Sequence, residues 1–167
     1  MQTFLNLNHS DNEIIYSSEN KTVIQSLEKR VKYLIIYGSN KSGKTTIAKK
    51  FSINYKIDLI KYVPKELIFN KETYLDLNTL PAQDENFFHF LQHFITNNIP
   101  LTIFTSENSI DNLNDKFYLP DVVSRLKQFT LCHIHNPGKD LLFKLINKYL
   151  SFKSISCLLY TSPSPRD

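Results

Sequence analysis

With 167 residues, 41% of them hydrophobic and 22% charged, the chain has room for one domain with a buried core and excludes a second full one. A net charge of +4 with lysines scattered along the sequence argues against a dense nucleic-acid arm, and no apolar run approaches the ~20 residues of a membrane span. The start, Met1 to Asn6, lacks the pattern of a signal peptide, and two cysteines, Cys132 and Cys157, exclude a disulfide framework, so a cytoplasmic location is expected.

In chain order, residues 1–12 read as a polar tail. Ser17 or Ser18 can cap a helix running to about Lys32, with Val23, Ile24 and Leu27 at helical spacing. Tyr33 to Tyr37 is a continuous apolar, β-branched run of the kind buried in parallel sheets. It leads into a glycine loop, a helix over 45–54 and a strand over 57–63 closed by Pro64. A third strand is expected at Thr73 to Leu77. A helix over 84–97 follows, its apolar face made by Phe87, Phe88, Leu91, Phe94 and Ile95. A strand at Leu101 to Thr105, a helix at Pro120 to Gln128 and a strand at Phe129 to Ile134 continue the alternation. Asn136 and Pro137 start a last helix, Gly138 to Leu150. Such an alternating series calls for a parallel sheet with helices on both faces.

The strongest chemical signal is the loop Gly38-Ser39-Asn40-Lys41-Ser42-Gly43-Lys44-Thr45, which satisfies the full G-x-x-x-x-G-K-S/T pattern between a strand and a helix. Gly38 and Gly43 free the backbone to aim N–H groups at phosphate oxygens. The helix that follows, with Thr46 in its first turn, adds its positive end. Lys44 is expected at the β- and γ-phosphates and Thr45 on a magnesium ion. Asp76, at the end of the third strand, is the candidate second magnesium ligand. Leu77 and Asn78 follow it where many ATPases place an acid that polarises water, so fast independent hydrolysis is not expected. His89 and His93 share a helix face at zinc-compatible spacing but read as partly buried helix histidines. His133 and His135 alternate on a strand and are expected to pack or face solvent.

Several segments, in one order, resemble the DnaA/Hda group of AAA+ proteins, most closely Hda-like regulators of replication initiation; the resemblance covers about residues 2–156. Leu119-Pro120-Asp121-Val122-Val123-Ser124-Arg125-Leu126 is similar to the family's LPDLxSRL segment. That likeness implies that Arg125 is an arginine finger acting on a neighbouring protomer. Leu101 to Asn108 resembles the strand ending in the sensor-1 residue, which falls on Ser106, Glu107 or Asn108. Asn20 sits where the family has an Asn near the adenine, and residues 136–146 look like the start of the lid. Gln2, Leu5 and Leu7 resemble a sliding-clamp-binding motif close to QLxLxL.

The resemblance implies an α/β P-loop AAA+ core with a parallel sheet flanked by helices, over residues 13–135. A clamp-binding tail over 1–12 precedes it and the beginning of a helical lid over 136–156 follows. Residues 157–167 look like a translated adapter peptide and are left out of the fold reading. The function implied is a module that binds ATP or ADP with magnesium, docks on the sliding clamp and stimulates ATP hydrolysis by DnaA. It would have no membrane contact and no sequence-specific DNA binding, and a homo-oligomer stays open. A truncated origin-binding initiator and a small P-loop kinase are the alternatives.

Overall fold

The computed structural model describes residues 14–115 and 118–152. The tail with Gln2, Leu5 and Leu7, and the last residues 153–167, lie outside the described residues. Strands β1 (Tyr33–Gly38), β2 (Asp58–Ile60), β3 (Thr73–Asp76), β4 (Leu101–Ser106) and β5 (Thr130–His133) form one sheet in the order β2-β3-β4-β1-β5. Every pairing is parallel. Parallel strands are joined by crossovers that cover both sheet faces, which is why the central strands are apolar without alternation. Leu34 and Ile36 of β1 point into one layer, with helices α1 (Lys21–Glu28) and α2 (Lys44–Tyr55), while Ile35 points into the other.

That second layer is built on α3 (Glu85–Thr96) and α5 (Pro120–Leu126). Asp84 caps α3 by accepting from the Asn86 N–H at 2.8 Å. The apolar face of α3 differs from the expected one. Phe90 is completely buried beside Phe87, Leu91 and Phe94, whereas Phe88 and Ile95 are half-buried at the margin. Burying one such phenylalanine is worth ~1.5–3 kcal/mol relative to leaving it in water.

Three further boundaries depart from expectation. Helix α1 stops at Glu28, short of Lys32, because Arg30 turns left-handed (φ 53°) and the Val31 N–H returns to the Ser26 carbonyl at 3.2 Å. Its cap is Asn20, not a serine; the Asn20 Oδ1 accepts from the Ser17 N–H at 3.0 Å. The second strand contracts to Asp58–Ile60, since it lies at the sheet edge and pairs only with β3. A short helix, α4 (Glu107–Asp111), and a 3-10 turn at Asn112–Asn114 follow β4 where no helix was expected. Helix α6 (Lys139–Phe152) closes the described chain. Among the described residues no helix is long and apolar enough to cross a membrane, and Cys132 is a buried free thiol.

Candidate nucleotide-binding site

Strand β1 lies between β4 and β5, and the order of connection reverses there: β2 and β3 lie beyond β4, and β5 is on the other side. In open α/β sheets the crevice at such a reversal, at the carboxyl ends of the strands, is where ligands bind. The glycine loop leaves β1 at this point. Its two glycines answer different needs. A Cβ on Gly38 would lie 2.5 Å from the Ile134 carbonyl oxygen and 2.6 Å from Ile134 Cγ2, so close packing requires glycine there. Gly43 has open space around it but a φ of 96°, which L residues rarely adopt.

Lys44 opens α2 and is 8% exposed. Its Nζ donates to the Gly38 carbonyl at 2.8 Å, the Ser39 carbonyl at 2.6 Å and Ser42 Oγ at 3.1 Å. Burial pushes its pKa down, opposed by the carboxylates of Asp76 and Glu107. A cationic group so enclosed favours an anionic ligand that restores its lost solvation. A cleft of about 210 Å³ runs over residues 40–46 and reaches Asn78, with Thr45 and Thr46 on its wall. Asp76 is half-buried at the end of β3. Among the described residues no three His, Cys, Asp or Glu side chains form a metal cage. A hard divalent ion would therefore depend on the Thr45 hydroxyl, the Asp76 carboxylate and phosphate oxygens, a donor set that suits magnesium.

Beside this cleft, a cavity of about 270 Å³ is lined by Ile14, Ile15, Ile47, Pro137, Leu141 and Leu145 together with Asn20, Thr46 and residues 41–43 of the loop. Its apolar lining suits a planar base. Asn20 is buried, and its amide is committed to the backbone: Nδ2 donates to the Ile15 carbonyl at 2.8 Å. The start of α6 is tied to the same segment, because the Gly138 N–H donates to Glu19 Oε1 at 3.1 Å. Ser39 Oγ in turn donates to Asn136 Oδ1, linking the phosphate loop to the base of α6.

The remaining candidates fall in different places. Ser106 Oγ lies 3.3 Å from Ser109 Oγ, and Asn108 is exposed. His133 Nε2 donates to Glu107 Oε1 at 2.5 Å, and its ring stacks on Tyr37 with centroids 4.9 Å apart. Sequence reasoning missed this pair because its members come from segments on opposite sides of β1, the start of α4 and the end of β5; the only local hint was an acid directly after a strand. His93 Nε2 is engaged with the Phe69 carbonyl at 2.9 Å, as suits a packed helix histidine. Arg125 lies against α3: its Nε donates to Gln92 Oε1 at 2.7 Å, and its guanidinium sits 5.7 Å from the Phe88 ring centroid.

No protein-family profile matches the sequence, and no curated protein matches it. Solved structures do match. DnaA from Aquifex aeolicus superposes with a TM-score of 0.60 at 16% identity, over 92% of this chain and 58% of that one. Domain III of the Thermotoga maritima replication initiation protein DnaA gives 0.57 at 10% identity, over 87% and 74%. A putative primosome component from Streptococcus pyogenes serotype M3 gives 0.52 at 16% identity, over 78% and 86%. The chain shares the parallel α/β fold of these structures. This chain spans little more than half the length of the Aquifex protein. In this fold the P-loop, Asp76 and the end of β4 share one rim of the sheet.

Proposed function

We propose that this AAA+ core is a nucleotide-dependent regulator of DNA replication initiation that holds ATP or ADP with magnesium at the P-loop. The observation that carries the reading is the juxtaposition of a complete phosphate loop around buried Lys44 with an apolar cavity of base-like dimensions at the foot of α6. The likeness in fold to the AMPPCP-bound DnaA structure supports it. Lys44, Thr45 and the loop amides bind phosphate; Asp76 and Thr45 would hold the metal, which would supply charge neutralisation at the phosphates.

In this reading residues 1–12 are a tether whose Gln2, Leu5 and Leu7 dock on the sliding clamp. Arg125 leaves Gln92 and Phe88 to reach a nucleotide bound by a DnaA protomer across an interface. Fluorescent-nucleotide binding is the first test: the wild type binds, and Lys44→Ala weakens binding by about two orders of magnitude, as loss of charged hydrogen bonds implies. Absence of nucleotide binding by the wild type overturns the reading. The regulatory part is tested by clamp pull-down with Gln2, Leu5 and Leu7 changed to alanine, and by DnaA ATP hydrolysis with Arg125→Ala. Retained clamp binding or retained stimulation sinks the corresponding role.

A further inference from the structure

Asp76 is followed by Leu77, which packs against the core, and by Asn78, so neither position after β3 offers an acid. The sheet order supplies another place for one. Strand β4 lies between β3 and β1, and its register pairs Ser106 with Gly38 and Phe104 with Asp76. The residue after Ser106 therefore emerges between the phosphate loop and the candidate magnesium ligand. That residue is Glu107.

Its side chain is held. The carboxylate crosses the end of β1 to His133 of β5, which the register sets beside Tyr37 and which stacks on that ring. The Glu107 side chain is 40% exposed and that of His133 30%, so water reaches the pair. The Glu107 carboxylate also lies near enough to Lys44 to favour its charged form, as Asp76 does.

We propose that Glu107 is the carboxylate that orients and deprotonates the attacking water in this site, and that His133 is its positioning residue. The chain then carries directly after β4 the acid that is missing beside Asp76. The inference rests on the nucleotide-binding reading above. His133 holds Oε1, and Oε2 accepts the proton of the water. The water oxygen forms a bond to the γ-phosphorus while the bond from that phosphorus to the bridging oxygen breaks, its electron pair leaving on ADP. The proton passes from Glu107 to solvent, and the products are ADP and inorganic phosphate.

The experiment measures fluorescent-ATP affinity and single-turnover ATP hydrolysis on the full chain. Glu107→Gln is expected to lower hydrolysis by about 100-fold or more, the usual contribution of a general base, with affinity within about 3-fold of wild type. His133→Ala is expected to lower the single-turnover rate constant by about 10-fold at unchanged affinity, and His133→Gln, which keeps an N–H donor at similar reach, restores most of it. Unchanged hydrolysis in Glu107→Gln overturns the proposal. So does a Glu107→Gln chain that loses binding and hydrolysis together, or a wild type that binds ATP without turning it over. In that last case the nucleotide-binding reading stands, whereas a wild type that fails to bind ATP ends both.

Discussion

Replacing Gly38 with alanine tests the close approach of the phosphate loop to the end of β5. The added methyl would stand 2.5 Å from the Ile134 carbonyl oxygen and 2.6 Å from Ile134 Cγ2. The first of these is backbone, and the Ile134 N–H is already bonded to the Tyr37 carbonyl at 2.8 Å. Neither strand can yield without loosening that bond. Overpacking of this kind costs about 1–3 kcal/mol, and a partner that cannot rotate away puts Gly38→Ala near the top of the range. For a chain of this size each kcal/mol moves the melting temperature by about 2–4 °C, so a loss of roughly 6–12 °C is expected. Gly43→Ala is the internal control: it meets nothing within 4 Å but must hold φ near 96°, at a cost of about 1–2 kcal/mol. Thermal melts followed by circular dichroism should rank wild type above Gly43→Ala and Gly43→Ala above Gly38→Ala. A Gly38→Ala chain that melts with the wild type, or above Gly43→Ala, would refute the packing argument.

Phe90→Ala removes a ring that sits 4.9 Å from Phe94 and 5.7 Å from Phe69, centroid to centroid; a loss of about 3–5 kcal/mol is expected in urea titration. Lys56→Gly should raise stability by about 0.5–1 kcal/mol, since the residue closing α2 has φ 54° and relief of that strain exceeds the added chain entropy. Glu19 gives a pH test. Its own backbone N–H first, with donors from Ser18 and Gly138 adding, holds its carboxyl below the ordinary 4.5. A lowered folded pKa means that the stabilisation is complete above that unfolded value and lost as pH falls through the folded one. The difference in melting temperature between wild type and Glu19→Gln should therefore be constant above about pH 5.5 and shrink below pH 4.5. A difference that grows with acid would contradict it.

What the sequence showed well was local. The run Tyr33 to Tyr37 and the loop after it are contiguous patterns, and strand, loop and helix all stand where the pattern put them. Helix ends were harder. The chain has three glycines, and Gly38, Gly43 and Gly138 all stand at the site. Arg30, Lys56 and Asn98 instead take the left-handed positions after α1, α2 and α3, at φ 53°, 54° and 59°. No residue-type signal marks an arginine or a lysine as a helix stop. Long-range pairs were invisible for a different reason. Glu107 and His133 meet only because β4, β1 and β5 are neighbours, and strand order cannot be read from either segment. Arg125, which the resemblance implies acts on a neighbouring protomer, lies against Gln92 and Phe88 of α3, partners that sequence spacing from α5 does not reveal.

The short stretch before α1 has two duties. Ile14, Ile15 and Asn20 wall the apolar cavity, while Glu19 between them grips the first turn of α6. An occupant of the cavity and the seating of α6 are therefore linked equilibria: whatever free energy one contributes to ordering this stretch, the other no longer has to supply. Reciprocity follows. A mutation that frees α6 from Glu19 should weaken a bound ligand by the same factor by which that ligand tightens α6.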